Sequence, residues 1–251
     1  MKAAPQGLKE RELWVTELNQ LYGELPAEEI LAQVLDHFGR EVAFANSFGL
    51  EDVVLQHLLL GRDRQPYTFV LDTGRLPQET YDLIDRWRLR YDLTFSILSP
   101  TADQLEPFVR DHGPNAFYQS LELRKRCCHI RKVEPLERAL QGRTAWISGL
   151  RREQSQARSQ VDVFALDGQG RLKVSPLTHW TLEQVWDYIH THQVPYNVLH
   201  DRGYPSLGCA PCTRAIASGE DARAGRWWWE IDAQRECGLH VKSKEETAYA
   251  T

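Results

Sequence analysis

Five cysteines stand in this chain as a tandem pair, Cys127-Cys128, a Cys209-Ala-Pro-Cys212 turn, and a lone Cys237 in the run Glu236-Cys237-Gly238-Leu239-His240. Four thiolates form a closed ligand set, and the fifth is left over. That division points to a metal or iron–sulfur centre beside a nucleophilic cysteine. Zinc takes four thiolates as two well-spaced pairs. Cys209-x-x-Cys212 suits it, whereas adjacent cysteines do not resemble an ordinary zinc knuckle. An iron–sulfur cubane asks one thiolate of each iron, so neighbouring cysteines can serve separate metals. The spacing favours the cluster over zinc and leaves zinc open. Buried free thiols account for one or two cysteines but poorly for this grouping. Disulfides are disfavoured: the count is odd, adjacent cysteines bridge only with strain, and reducing compartments keep thiols free.

Cys237 can react only as a thiolate, which a nearby cation favours. His240 can supply such charge and Gly238 permits an unusual backbone; Glu236 works the other way. The plain alternative is that a lone cysteine near a C-terminus does nothing. Basic residues gather around the thiols: Arg124, Lys125, Arg126, Arg131 and Lys132 by the tandem pair, Arg151, Arg152 and Arg158 further on, and Arg214, Arg223 and Arg226 after the second pair. Some of these are ordinary solvated surface. Guanidinium forks nevertheless match phosphate and sulfate geometry. The Trp227-Trp228-Trp229 run reads as packing rather than chemistry.

The elements that must position these residues follow from periodicity. Residues 8–38 read as one or two amphipathic helices with Leu13, Leu18, Leu21, Ile30, Leu31, Val34, Leu35 and Phe38 as the apolar set. Strands are expected at Glu41–Asn46, Tyr67–Leu71, Leu93–Leu98 and Thr144–Ile147, with a helix after the first and another over Gln78–Arg90. Helical segments fill much of 101–141. Val161–Val174 reads as a hairpin turning at Asp167-Gly168-Gln169-Gly170, and Thr181–His192 as a helix opened by a capping box. This alternation predicts an α/β fold: an open, mostly parallel sheet flanked by helices, with a loop-rich C-terminal tail. Three strands end in small or polar turns, Ser47-Phe48-Gly49, Asp72-Thr73-Gly74 and Ser148-Gly149, where an open sheet places its ligands. Backbone N–H groups at Ser47 and Gly49 are well placed to receive an anion.

Composition narrows the class further. A chain of 251 residues with 42% hydrophobic and 26% charged residues is long enough for one substantial domain. Its net charge of −5 gives no bulk attraction for nucleic acid. No run approaches the roughly 18 apolar residues of a membrane span, and a secretory signal is not expected. A cytoplasmic location is expected.

Seven motifs in order then resemble one family: SFGLED (47–52), LDTGRL (71–76), KRCCHIRKVEPL (125–136), SGLRREQS (148–155), GCAPCTR (208–214), AGRWWWE (224–230) and ECGLH (236–240). Together they resemble the assimilatory adenylyl-sulfate reductases, the cluster-containing branch of the sulfonucleotide reductases, whose fold is that of the adenine nucleotide alpha-hydrolases. The resemblance covers about residues 40–241 as a single reductase domain with a catalytic tail; residues 1–39 form an N-terminal helical segment without a motif. It implies a [4Fe-4S] cluster on Cys127, Cys128, Cys209 and Cys212, and Cys237 as the nucleophile, assisted by His240. It implies a nucleotide cradle with Ser47, Gly49, Asp52, Leu71, Thr73 and Gly149, and a phosphosulfate clamp of Lys132, Arg158, Arg223 and Arg226.

The implied reaction is reduction of adenosine 5′-phosphosulfate to sulfite and AMP through a Cys237 S-sulfonate, for cysteine biosynthesis. Only eleven residues follow His240, so an external thioredoxin or glutaredoxin is expected to supply the electrons. Neither nucleic acid nor a membrane is expected as a partner, and assembly into a homo-oligomer is left open. Four alternatives stand beside this. Phosphoadenylyl-sulfate reductases share the fold and the ECGLH tail but lack the cluster cysteines, and a dual-specificity reductase is compatible with the motifs. A tRNA-thiolating ligase would carry a SGGxDS-like loop, which SFGLED is not. A zinc-stabilised nucleotide-binding regulator would need the quartet but not Cys237.

Overall fold

The computed structural model describes Pro5 and residues 7–230. Cys237 and His240 lie outside the described residues. Two N-terminal helices, α1 (Leu8–Tyr22) and α2 (Ala27–Phe38), precede β1 (Val42–Ala45), α3 (Leu50–Leu60), β2 (Thr68–Leu71), α4 (Gln78–Tyr91) and β3 (Ser96–Leu98). Then come α5 (Ala102–His112), α6 (Leu121–Cys128), a π-helical turn His129–Val133, α7 (Glu134–Ala139), β4 (Ala145–Ile147), β5 (Phe164–Leu166), β6 (Leu172–Val174) and α8 (Leu182–Thr191). Loops with short 3₁₀ turns, among them Ala210–Cys212, follow.

The strands form one six-stranded sheet in the order β3-β2-β1-β4-β6-β5. β1 runs parallel to β2 and to β4, and β4 parallel to β6; β5 closes the hairpin antiparallel to β6. The register sets Phe44 against Thr68 and Ile147. β1, Val-Ala-Phe-Ala, is an unbroken apolar run because a parallel strand covered on both faces has no solvent side on which to place polar residues. The mostly parallel sheet, the 167–170 turn and the Thr181 capping box, in which Thr181 Oγ1 accepts from Gln184 N at 3.1 Å, agree with the sequence reading. The third strand is shorter than expected. Asp92 adopts φ 52°, so the chain is still turning there and pairing begins only at Ser96.

The described chain falls into two compact units. The first holds residues up to Phe69, Asp82–Ser96 and Gly142–Asn197; the second holds Val70–Tyr81, Ile97–Gln141 and the chain from Val198 onward. In the first, α1 lies on β5. Asn19 donates to Phe164 O at 2.8 Å and accepts from Phe164 N at 3.0 Å, satisfying the outer backbone groups of an edge strand. That contact fixes which face of α1 turns inward. Trp14 and Leu18 are buried, whereas Leu13 and Leu21, expected in the apolar set, are exposed. Leu13 points away from the row through residues 11, 15, 18 and 22, and Leu21 lies on its flank.

The second unit has its own core of Phe108, Ala116, Phe117, Ile130 and Trp227, with Cys127, Cys209 and Cys212 built into it. No described helix is long and apolar enough to cross a membrane.

Candidate active site

In the first unit, the turn between β1 and α3 is held by the chain's own carboxylate. Asp52 sits in the first turn of α3, and its Oδ2 accepts from Ser47 N at 2.7 Å and from Ser47 Oγ at 2.6 Å. Gly149 N, at the end of β4, donates to the same carboxylate. The Ser47 N–H expected to receive an external anion is therefore occupied by an internal one. Burial pushes the Asp52 carboxyl up to about 6; its bonds to Ser47 oppose the shift, Glu51 adds to it, and the Gly149 bond opposes it again. Glu51, next door, takes the Nε and Nη2 of the buried Arg151, each at 2.8 Å. Both acidic residues of SFGLED thus brace the turn after β4, one through Gly149 and one through Arg151.

Gly149 has no alternative at this position. A Cβ there would lie 2.9 Å from Glu51 Cβ and fall on Asp52 Oδ1. The strained residue of the first turn is Phe48, not Gly49. Phe48 is fully buried with φ 58° while Gly49 has φ −71°. Its N–H donates to Asn46 Oδ1 at 2.7 Å and its ring meets Phe95 edge-on at 5.4 Å, so packing holds an aromatic residue in a conformation it rarely adopts. Arg158 stands in a 3₁₀ turn and donates to Gln154 Oε1. Gln154 Nε2 in turn donates to Gly149 O at 3.1 Å.

In the second unit, β2 ends at Leu71 and the next loop is an Asx turn. Asp72 Oδ1 accepts from Gly74 N at 2.8 Å and from Tyr81 O–H at 2.7 Å. Thr73, expected as a nucleotide contact, is buried with its hydroxyl already engaged. Thr73 Oγ1 accepts from Arg75 N at 3.2 Å and from the Cys209 thiol at 3.3 Å. The 71–75 loop is joined once more to the second cysteine pair, since Ala210 N donates to Arg75 O at 2.8 Å, and to the turn after the tandem pair, since Arg131 Nη1 donates to Thr73 O at 2.6 Å.

The four clustered cysteines line one cavity together with Arg75, Arg124, Arg131 and Lys132. Cys127 and Cys128 close α6, and the π turn His129–Val133 follows at once, one of the irregular turns that mark functional positions in helices. Burial raises the Cys127 thiol, with Arg131 opposing it. Burial and the neighbouring Cys209 push the Cys212 thiol up to about 12. Among the described residues no three His, Cys, Asp or Glu side chains converge on a single ion. Four thiols lining one cavity are the donor set that an iron–sulfur or a zinc group takes. The four cationic side chains around the cavity complement the negative charge such a group carries with four thiolates.

Arg124 and Arg226 both stack on Trp227, each with Cζ 4.7 Å from its ring. Trp227 is buried at φ 44° and donates its N–H to Cys212 O at 3.3 Å. Arg226, expected in the phosphosulfate clamp, is buried with Nη1 donating to Leu207 O at 2.6 Å. Gly208 leaves the space its guanidinium fills, because a Cβ there would stand 2.6 Å from Arg226 Cζ. Arg223 lies three residues earlier in the same loop, its N–H on Asp221 Oδ1 at 2.8 Å.

The structure therefore groups Ser47, Gly49, Asp52, Gly149 and Arg158 in the first unit. It groups Leu71, Thr73, Lys132, Arg223, Arg226 and the four cysteines in the second. Arg124 and Arg131 stood in the sequence only among the basic residues around the tandem pair, without a role, and Arg75 was not singled out at all. A signal existed for two of them: Arg124 and Arg131 stand three before and four after Cys127, on the same helical face. Arg75 gave none beyond its place in LDTGRL.

Comparison with known proteins identifies the family. Residues 41–215 match the phosphoadenosine phosphosulfate reductase domain. Relatives include an adenosine 5′-phosphosulfate reductase of Burkholderia cepacia, 49% identical over 85% of this chain and 86% of its own length. Another, from Allochromatium vinosum, is 47% identical over 86% and 85%. A solved phosphoadenylyl-sulfate reductase from Candida auris, in a phosphate complex, superimposes with a TM-score of 0.70 at 27% identity, covering 86% of this chain and all of its own. An FMN adenylyltransferase of Candida glabrata shares the fold alone, with a TM-score of 0.53 at 14% identity over 88% of this chain and 71% of its own. With a reductase-type sheet, its strand-end turns and a cysteine-lined cavity all present, the chain belongs to the phosphoadenosine phosphosulfate reductase family.

Proposed function

We propose that the protein reduces adenosine 5′-phosphosulfate to sulfite and AMP. The observation that carries this is that Cys127, Cys128, Cys209 and Cys212 all line one cation-lined cavity in a chain of this family. The relatives named as adenosine 5′-phosphosulfate reductases support the substrate. The working stretch is residues 40–241, with 1–39 outside the chemistry, and the setting is the cytoplasm, where thiols stay reduced.

The reaction needs two displacements. The Cys237 thiolate attacks the sulfate sulfur, the sulfur–oxygen bond to phosphate breaks, and AMP leaves with the electron pair. A thiolate of a thioredoxin or glutaredoxin then attacks the Cys237 sulfur. The sulfur–sulfur bond to the sulfonate breaks, sulfite departs with the pair, and the partner's second thiol closes its own disulfide, returning Cys237 as a thiol. His240 assists the nucleophile. Ser47, Gly49, Asp52, Leu71, Thr73 and Gly149 build the nucleotide cradle. Asp52 and Thr73 act from behind it: their side chains hold Ser47, Gly149 and the 72–75 loop in position. Lys132, Arg158, Arg223 and Arg226 offset the charge of the phosphosulfate, which would otherwise repel a thiolate.

Cys127, Cys128, Cys209 and Cys212 would hold a [4Fe-4S] cluster. Bound there, it would supply a fixed charge and a cross-link between the end of α6 and the 209–212 turn. Thr73 and Arg131 connect that region to the nucleotide loop through their bonds at Cys209 and Thr73 O.

A second reading, acceptance of the 3′-phosphorylated nucleotide, is favoured by the likeness to phosphoadenylyl-sulfate reductase. Anaerobic turnover with thioredoxin and each nucleotide, following sulfite, decides between them. Brown protein releasing sulfite from the unphosphorylated nucleotide, with the Cys237→Ser variant inactive, is the expected result. Colourless, zinc-loaded protein that releases none would overturn the proposal.

A further inference from the structure

Of the three consecutive tryptophans, Trp227 is buried and Trp229 packs against the second unit's core, but Trp228 stays 37% exposed. It stands edge-on to Trp229 at 4.9 Å and 6.5 Å from the ring of Tyr118, itself 43% exposed. Leu121, three residues on from Tyr118, is 38% exposed as well. Neighbouring exposed aromatic side chains mark interaction surfaces more often than single exposed residues do. These rings are also rigidly held. Tyr118 O–H donates to Pro211 O at 2.7 Å, inside the second cysteine pair, and the Tyr118 ring meets Phe117 and Trp229 at 4.4 Å each. Fixed aromatics with a polar handle bind partners at low entropic cost.

The position of the patch says what covers it. Trp228 is nine residues before Cys237. Glu230, seven before it, is pinned by Arg124, whose Nε and Nη2 donate to its two carboxylate oxygens at 2.7 and 2.9 Å. Seven residues span at most ~24 Å when fully extended. Cys237 is therefore tethered within that radius of a point two residues beyond the patch. A macromolecule that brings its thiol to Cys237 thus engages a residue that follows the patch closely along the chain.

We propose that Tyr118 and Trp228 form the docking surface for the dithiol protein that reduces the Cys237 S-sulfonate. The inference rests on the reductase reading above and adds where its electron donor binds. The occupant is a small protein whose reactive thiol is ringed by apolar surface; burying the two rings holds that thiol in register for attack on the Cys237 sulfur.

The test compares two reductants on the intact protein. Trp228→Ala and Trp228→Phe are assayed with thioredoxin over a range of concentrations and with dithiothreitol, which is too small to need a docking surface. S-sulfonate formation on Cys237 is followed separately by intact mass after nucleotide is added without reductant. Trp228→Ala is expected to raise the KM for thioredoxin about tenfold. Its dithiothreitol-driven rate and S-sulfonate yield should stay at wild-type levels, and Trp228→Phe should recover most of the affinity. An unchanged KM for thioredoxin overturns the proposal, as does an equal loss with both reductants, which would make Trp228 a structural residue. Wild-type protein that forms no S-sulfonate overturns the reductase reading itself, and the docking inference with it.

Discussion

Replacing Asp52 with asparagine separates what this carboxylate does for stability from what it does for the site. Burial lifts its folded-state pKa from the ordinary 3.8 to about 6 in spite of the bonds from Ser47 and Gly149. A raised acid pKa favours the folded state most below pH 3.8, and that advantage is lost as pH rises through 6. The ionised group then costs roughly 1–2 kcal/mol at pH 5 and roughly 3 kcal/mol at pH 8 relative to a neutral side chain in the same place. Asparagine removes that cost. It keeps one acceptor for Ser47 but turns an amide group toward the Gly149 N–H, a mismatch of about 1–3 kcal/mol. The Asp52→Asn variant should therefore be as stable as wild type at pH 8 or more so, and lose ground by roughly 1–2 kcal/mol on going to pH 5. Urea denaturation of both proteins at pH 5, 6.5 and 8 reads this directly. Nucleotide affinity, by calorimetry, should fall because Ser47 and Gly149 are no longer drawn to one anion. A variant destabilised by more than 3 kcal/mol at every pH, with affinity intact, would refute the reasoning.

Gly149→Ala forces a Cβ onto Asp52 Oδ1, and with both neighbours tied down it should cost about 2–4 kcal/mol and abolish nucleotide binding, checked by thermal unfolding and calorimetry. Thr73→Val removes the hydroxyl shared by Arg75 N and Cys209. We expect bleaching of any bound cluster by a chelator to accelerate severalfold, followed by visible absorbance, with nucleotide affinity reduced only modestly. Glu230→Ala leaves the Arg124 guanidinium buried without its carboxylate and should destabilise by about 3–5 kcal/mol, whereas Arg124→Leu combined with Glu230→Leu should recover most of that loss in denaturant titrations.

Most of the architecture was legible because two local signals agree in this chain. Val42–Ala45 and Ala145–Ile147 are apolar without alternation, as strands of a covered parallel sheet must be, and each runs into a small-residue turn. The Thr181 cap and the Asp167–Gly170 turn are decided within four residues and were read correctly. What escaped depends on partners distant in sequence. Leu13 and Leu21 fit an apolar pattern, but the orientation of α1 is set by Asn19 reaching Phe164, 145 residues away. Nothing local in Ser47-Phe48-Gly49 marks Phe48 as the residue on which tertiary packing imposes the unusual backbone. The cysteines announced themselves by type, and their cavity shows why Arg124, Arg131 and Lys132 are spaced as they are around them. Thr73 and Asp52 have the residue types of ligand contacts, yet their polar atoms are directed at the chain's own groups. Spacing alone cannot reveal that.

The bond pair between Asn19 and Phe164 gives the motif-free N-terminal helix a purpose of its own. β5 closes one end of the sheet, and an amide side chain imitating a neighbouring strand occupies the backbone groups through which a foreign strand would add. Shortening the protein to its motif-bearing portion would uncover that edge. Such a fragment would keep every site residue named above and leave the outer backbone groups of Phe164 open, so α1 serves as a cover for the sheet edge.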